Sequence, residues 1–289
     1  MSMTGAESAA GYKVPGYGRG LLDVIRYRYL LLLLIRQGIK VRYRGSVLGW
    51  TWSYVKPAVQ FVVYYLAFGV FLKLDRGIEN FAVYLFAGLI VVNLFSEAFG
   101  NATRSIVENA ALVKKIYLPR ELFPIASVII ALIHFLPQLA ILVIGAMLFG
   151  WQPNLLQLAG VLLGAVIIVL LATGFGLMFG AFNVSFRDAE NFVELILLLA
   201  TWTSPVFYAW SMVANHVPEW LLKVYLSTPL PAAVELFHNG FWYPTTTKPQ
   251  QLPPDLWLSG FVALGISVLV LILGQFLFRR LEGRFAQIL

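Results

Sequence analysis

The chain has 289 residues, of which 60% are hydrophobic and 12% are charged, and its mean hydropathy is +0.79. Soluble domains carry about 25% charged residues, so this composition excludes an ordinary soluble protein and indicates an integral membrane protein. The chain has no cysteine, which excludes disulfides, iron–sulfur clusters and a thiolate nucleophile. Its net charge of +7 comes from basic residues at the ends of apolar segments, so we expect no nucleic-acid partner.

The first 45 residues precede any segment long enough to cross a bilayer. Residues 1–20 are small and polar without an apolar core, which predicts a flexible cytoplasmic tail and no signal peptide. Residues 21–45 contain an apolar run of only seven, Tyr29 to Ile35, whereas a span needs about 20. The basic residues that follow this run, Arg36, Lys40, Arg42 and Arg44, favour an amphipathic interface helix in the headgroup layer of the membrane lipids. The same pattern also fits a cytoplasmic helix packed on the rest of the protein.

The next stretch, residues 40–72, changes from cationic to apolar at Pro57 and predicts a membrane surface followed by a crossing. Six aromatic residues recur in it at helical spacing and predict a ladder of rings along one helix side, namely Trp50, Tyr54, Phe61, Tyr64, Phe68 and Phe71. Such a ladder serves helix packing or lipid contact in many membrane proteins. It also suits a lining for flat apolar faces such as those of sugar rings.

Hydropathy predicts an all-α integral membrane fold with six transmembrane helices near residues 53–73, 81–101, 124–149, 159–182, 191–210 and 257–278. Six spans place both termini on one side. That side carries 17 of the 21 lysines and arginines, so the positive-inside rule places both termini in the cytoplasm. Domain boundaries follow as a tail at 1–20, an interface helix at 21–45 and a six-span domain at 50–289.

The cytoplasmic connection between the second and third spans contains Ser105 with Glu108 three residues later, which resembles a capping box that opens a short helix. Tyr117 to Pro119 would close this helix. A partner protein could bind such a projecting helix, and a solvated loop is the simpler alternative.

Within the third span, His134 and Gln138 lie one turn apart around Pro137. Interhelical hydrogen bonding explains such residues more simply than a proton relay, because the span offers no carboxylate at that depth. In the fourth span, Gly160, Gly164, Gly176 and Gly180 form two small-xxx-small pairs that let another backbone approach closely.

The long external stretch before the last span, residues 211–256, is rich in proline and holds apolar pieces too short to cross. These pieces predict short re-entrant helices or an external cap on the membrane surface.

Several chemistries find no support in the residues. No phosphate-cradling GxxxxGK[ST] motif occurs, so the chain cannot bind ATP by that route. The three histidines are far apart and lack the spacing of metal ligands, so we expect no metal site. Asp188, Glu190 and Glu194 form the tightest acidic cluster, and ion pairing with Arg187 explains it better than catalysis.

Four segments in order resemble the ABC-2 type permeases that export polysaccharides and polyol phosphates: KVRYRGSVLGWTWSYVKP, NAALVKKIYLPRELFPIA, SPVFYAWSMV and FRRLEGRFAQIL. The likeness covers most of the chain. It implies a transport subunit and no enzyme, in which two copies of the chain work with two copies of a separate ATPase that holds the ATP and magnesium. It also implies a bacterial inner-membrane location and no cofactor in this chain.

The resemblance further implies roles by position. Residues 105–118 would form a coupling helix on the ATPase, with Ser105, Glu108, Lys114, Lys115 and Tyr117 as contacts. The first and fifth spans would line the substrate pathway between the two copies, which adds Trp202, Phe207, Tyr208 and Trp210 to the ladder. Arg36, Lys40, Arg42 and Arg44 would attract the diphosphate of a lipid-linked glycan. The Gly- and Ala-rich spans are similar to those of actinobacterial members, the mycobacterial ones above all, which implies galactan as the cargo for cell wall biogenesis.

Other functions remain open at this stage. The same machinery exports teichoic acid or O-antigen, and efflux of a lipophilic drug is a further possibility. A membrane-embedded glycosyltransferase would need an acidic pair better placed than the cluster at Asp188 to Glu194. A proton-coupled carrier would need carboxylates at mid-membrane, and the sequence suggests none.

Overall fold

The computed structural model describes residues 20–74, 77–115, 118–247 and 252–289, and these residues form helices and no strand. The predicted tail at 1–20 lies outside the described residues except for Gly20. The helices are α1 Leu21–Arg26, α2 Arg28–Arg42, α3 Trp52–Tyr64, α4 Phe81–Glu108, α5 Ala110–Lys115, α6 Leu122–Leu148 and α7 Leu155–Ser185. They continue with α8 Ala189–Thr203, α9 Trp210–Ala214, α10 Glu219–Ser227, α11 Pro229–Phe237, α12 Leu256–Glu282 and α13 Phe285–Ile288.

Among the described residues, five helices are long and apolar enough to cross a membrane, namely Gly49–Phe71, α4, α6, α7 and α12. The first begins with a 3₁₀ turn at Gly49–Thr51, continues as α3, and ends as a π-helix at Tyr65–Phe71. The bounds agree with the predicted spans within a few residues, except that α4 and α7 extend further. With 28 and 31 residues they are about 42 and 46 Å long, well beyond a hydrocarbon core of about 30 Å.

The predicted fifth span at 191–210 is not a continuous helix. Helix α8 has 15 residues, or about 22 Å, and ends at Thr203. Ser204 is extended, with φ −86° and ψ 144°, because the residue before a proline is pushed out of the α region. Pro205 therefore ends the helix before it reaches the length that a crossing needs.

The interface segment also differs from one helix over 21–45. It forms two helices, α1 and α2, that meet at Tyr27, and it ends at Arg42. One side of α2 packs on α6, where a Cβ on Gly38 would meet the Ile130 side chain at 2.6 Å. The other side exposes Tyr29, Leu32 and Leu33. Helix α2 therefore packs on the protein with one side and presents an apolar face outward with the other.

Helix α4 is the centre of the bundle, since 78% of the residues in its most apolar part are buried, compared with 6% in the first span. Small residues allow α7 to pack tightly against its neighbours. A Cβ on Gly176 would lie 2.4 Å from that of Ala102 on α4, and a Cβ on Gly164 would lie 3.2 Å from the carbonyl oxygen of Ala233 on α11. The predicted glycine pairs thus permit close packing of α7, as expected.

The external stretch folds back into the bundle. Helix α11 continues as a π-helix at His238–Trp242 and a 3₁₀ turn at Tyr243–Thr245, and every residue from Leu230 to Trp242 is buried. Two indole N–H groups anchor the segment, because Trp151 donates to the Gly240 carbonyl at 2.8 Å and Trp242 to the Glu79 carbonyl at 2.6 Å. The segment is therefore packed between α4, α7 and α12, and the re-entrant helix stays a prediction.

Candidate transport pathway and interfacial site

Four of the predicted pathway rings meet in one cluster, which we call the ring cluster: Tyr64, Phe68, Trp202 and Phe207. Phe68 stacks on Phe207 with ring centroids 4.7 Å apart, and Tyr64 meets Phe207 edge-on at 4.8 Å. Trp202 lies 5.3 Å from Phe207 and 6.4 Å from Phe68. The structure therefore joins the rings of the first span to Trp202, at the end of α8, and to Phe207, just after it.

The break after α8 positions this cluster. The Tyr84 hydroxyl lies 2.9 Å from the Pro205 carbonyl oxygen and 2.8 Å from that of Tyr208, so it can donate to either. The Tyr208 hydroxyl donates in turn to the Trp202 carbonyl at 3.0 Å. These bonds hold the non-helical residues after α8 against α4. Phe207 thereby contacts Tyr64 and Phe68 of the first span on one hand and Trp202 of α8 on the other.

Burial divides the cluster into supporting and accessible rings. Phe207 is 2% exposed and acts as a packing residue, whereas Trp202 is 52% exposed. The apolar side of α8 next to Trp202 is also open, since Phe192, Leu195 and Leu199 are exposed at helical spacing. The accessible surface of the cluster thus belongs to the faces of α3 and α8 that no other part of the described chain covers.

The other predicted pathway rings lie elsewhere. Phe61 turns toward α4, where it meets Phe86 edge-on at 5.2 Å. Trp50 and Phe71 are exposed at opposite ends of the first span, and Tyr54 is 6.4 Å from Trp50. Trp210 begins α9 and is half-buried. The six rings therefore do not form one ladder, because Phe61 and Tyr64, both on α3, already contact different parts of the bundle.

All four residues that were predicted to attract the diphosphate are exposed, namely Arg36, Lys40, Arg42 and Arg44. Arg42, however, already has a partner within the protein. Its Nη1 lies 2.5 Å from the Glu97 carboxylate on α4. The same carboxylate oxygen lies 2.6 Å from Nδ1 of His134 on α6. The expectation that the third span itself holds no carboxylate at the depth of His134 stands, and Glu97 reaches this histidine from another helix.

This polar network continues to the first span. Nε2 of His134 lies 3.1 Å from the Tyr43 hydroxyl, which also hydrogen-bonds the Ser53 hydroxyl. Gln138 Nε2 donates to the His134 carbonyl at 3.3 Å. The expected interhelical hydrogen bonding of His134 is confirmed, and the network joins the end of α2 to α3, α4 and α6.

A second buried polar pair lies in the re-entrant segment. Glu235 and His238 are 2% and 0% exposed, and Glu235 Oε1 is 3.6 Å from His238 Nδ1. The His238 ring stacks on Tyr84 at 3.8 Å, and its Nε2 lies 3.1 Å from the Tyr84 carbonyl. Their i, i+3 spacing in a helix was the signal that could have identified this pair.

The predicted coupling helix is shorter than residues 105–118. Ser105 and Glu108 belong to the last turns of α4, and the separate helix is α5. The capping box is wrong, because Ser105 is buried and its hydroxyl donates to the Ala102 carbonyl at 2.7 Å. Lys114, Lys115 and Glu108 are exposed, whereas Tyr117 lies outside the described residues.

Helix α5 is attached to the bundle through Val113, which is buried in a second apolar cluster. This cluster combines the ends of α4, α7 and α12 through Ile106, Leu177 and Phe278. In the described part of the chain, no group of three His, Asp or Glu residues could hold a metal ion. Glu190, in the first turn of α8, accepts a hydrogen bond from Asn183 at 2.9 Å, which gives this carboxylate a structural role. The predicted ion pairing with Arg187 is not found among the described residues.

Fold and site together define a helical multi-pass membrane protein with an aromatic surface on uncovered helix faces. The chain belongs to the ABC-2 type transporter family, whose model matches residues 29–242.

Two relatives from Klebsiella pneumoniae, both called O-antigen export system permease protein RfbA, are 29% identical over 90% of this chain and 95% of their own length. A protein of the same name from Myxococcus xanthus is 31% identical over 67% of this chain and 74% of its own. The family and these relatives support a permease of polysaccharide export, a transport subunit.

Proposed function

We propose that this chain is the permease half of an exporter that moves a polyprenyl-diphosphate-linked polysaccharide out of the cytoplasm. A separate ATPase subunit, present in two copies, supplies the energy, and two copies of the permease form the path. The observation that carries the proposal is the ring cluster on the uncovered faces of α3 and α8 in a chain similar to O-antigen permeases along nearly its whole length.

The chemistry of the ring cluster suits a glycan. Aromatic faces contact the C–H faces of sugars through many weak interactions, so a polymer can slide without a deep binding minimum. Trp202 and Tyr64 offer such faces beside Phe68. Only 6% of the residues in the most apolar part of the first span are buried, so the surface of this span beside the rings is open. A second copy that approaches α3 and α8 would therefore enclose a ring-lined path.

The topology we propose keeps six crossings with both termini in the cytoplasm of the bacterial inner membrane. The charge asymmetry supports this arrangement. The fifth crossing would combine α8 with the non-helical residues 204–209, whose backbone is packed against α4 and so avoids lipid. The exposed lysines of α5 would meet the ATPase.

Two cargoes fit this site. Galactan follows from the likeness to actinobacterial members, and the names of the relatives favour an O-antigen. Both are lipid-linked polysaccharides with the same C–H faces, and supplying each to the same transport assay separates them.

The substitution that tests the ring-lined path is Trp202→Ala combined with Tyr64→Ala. Loss of two ring faces should lower ATP-dependent polysaccharide export about tenfold, equivalent to about 1.4 kcal/mol. Phe261→Ala is the matched control, because Phe261 is an exposed ring on α12 away from the cluster. Export by the double variant at the level of this control would refute the path.

A further inference from the structure

An apolar groove opens along the side of the bundle between α3, α4 and α6. It has a volume of about 300 Å³, within the usual size of ligand pockets, which begins near 300 Å³. Its lining includes Tyr54, Pro57 and Phe61 from α3, Phe86 from α4, and Ile141 and Gly145 from α6. On α6 the lining runs from Gln138 to Phe149, a length of roughly 16 Å.

A polar pocket of about 270 Å³ lies beside the start of this groove. Two cations, Arg42 and Lys56, line it together with three hydroxyl-bearing residues, Tyr43, Ser46 and Ser53. Glu97 contacts only one nitrogen of the Arg42 guanidinium, so the other donors of that group remain for a ligand. The pocket therefore combines two positive charges with hydroxyl donors, the chemistry that recognises phosphate oxygens.

The two cavities are neighbours along α3. Ser53 and Lys56 line the polar pocket, and their chain neighbours Tyr54 and Pro57 line the groove. Across from α3, Tyr43 of the pocket hydrogen-bonds His134, whose carbonyl accepts from Gln138 at the start of the groove. The pocket can therefore hold the charged end of a ligand whose apolar chain follows α3 into the groove.

We infer that this composite site binds the lipid carrier itself, with the diphosphate of a polyprenyl diphosphate in the polar pocket and its first isoprene units in the groove. The pair of cations matches a diphosphate, and the single narrow groove matches one linear chain, whereas a diacyl phospholipid carries two. This inference rests on the proposed function and adds the place at which the carrier lipid is recognised.

Two glycines provide a matched pair of substitutions. A Cβ on Gly145, within the groove, meets nothing within 4 Å, and the same holds for Gly265 on α12. Gly145→Leu therefore fills the groove without a clash, and Gly265→Leu adds the same side chain elsewhere on the bundle. Unfolding temperatures of both variants should equal that of the unchanged protein.

The test uses the permease–ATPase complex in phosphatidylcholine nanodiscs and a farnesyl diphosphate that carries a photoreactive diazirine on its chain. We expect cross-links in residues 54–61 and 138–149 that decaprenyl diphosphate displaces and phosphatidylglycerol does not. Gly145→Leu should reduce this labelling about tenfold, because the chain loses burial of its apolar surface, and Gly265→Leu should not.

Two results would overturn the inference. One is labelling that Gly145→Leu leaves unchanged, and the other is equal displacement by phosphatidylglycerol, which would identify an ordinary lipid contact. If labelling at the groove fails while the unchanged complex still exports polysaccharide, only the lipid-binding inference is lost. If the unchanged complex exports no polysaccharide, the proposed function itself fails.

Discussion

Glu97 is the residue at which the interface segment, α4 and α6 are joined. It pairs with the half-exposed Arg42 and with His134, whose side chain is 2% exposed. An ion pair as exposed as that with Arg42 contributes little, because solvent screens it. The bond to His134 matters more, since a buried imidazole without its partner retains the cost of desolvation.

Glu97→Ala should therefore lower the free energy of unfolding by about 1–3 kcal/mol. The measurement is thermal unfolding of the purified protein in detergent. Glu194→Ala removes an exposed carboxylate on α8 and serves as the control, with a change within about 0.5 kcal/mol. Equal unfolding temperatures for the two variants would show that the network contributes nothing to stability.

At the same scale, the sequence could identify residue types but not their partners. Helical spacing showed that Tyr64 and Phe68 share a face, and Trp202 and Phe207 came from the resemblance. Glu97 was separated from His134 by 37 positions, and only the packing of α4 on α6 brings the two together.

At the scale of helices, the closest contact in the bundle is the crossing of α7 and α12. A Cβ on Gly274 would lie 2.1 Å from the carbonyl oxygen of Gly174, and a Cβ on Gly174 would lie 2.7 Å from the backbone nitrogen of Leu271. Both helices therefore need glycine at this crossing. The glycines singled out in the fourth span do not include this pair, although Gly260, Ala263, Ser267 and Gly274 recur at spacings of 3, 4 and 7 along the buried side of α12 and could have signalled it.

Gly274→Ala should force α7 and α12 apart and cost about 1–3 kcal/mol or more, since backbone atoms cannot move aside as side chains do. The yield of monodisperse protein and its unfolding temperature measure the effect. Gly265→Ala on the same helix should be neutral or stabilising, by up to about 1 kcal/mol, because alanine favours helix and meets nothing there. A Gly274→Ala protein as stable as the control would contradict the packing of these two helices.

Local rules explain which helices were predicted well. Four spans, α4, α6, α7 and α12, are long apolar runs, and hydropathy alone places them. The fifth predicted span is not one continuous helix, because hydropathy does not register the break that Pro205 imposes on Ser204. The burial of the segment from Leu230 to Trp242 follows only from its tertiary contacts, since its apolar pieces fit a re-entrant helix and a surface cap equally well.

At the scale of the whole molecule, burial is uneven. Helix α4 is enclosed, and the first span and α8 leave apolar and aromatic faces uncovered. Helices α5 and α13 share one apolar cluster with the ends of α4, α6, α7 and α12. A force applied to α5 would therefore reach four long helices at once, which is the arrangement that the proposed coupling to an ATPase needs.

In the proposed exporter, this chain provides the path and a separate subunit provides the energy. The most direct measurement places the permease in liposomes with lipid-linked polysaccharide on the outer surface and adds the ATPase subunit that co-purifies with it. Protection of the glycan from an added glycosidase reports its transfer into the lumen. We predict protection only when permease, ATPase and ATP are all present, and no nucleotide hydrolysis or glycan elongation by the permease alone. Hydrolysis or elongation by the permease alone, or a glycan that stays accessible in the complete system, would contradict the account.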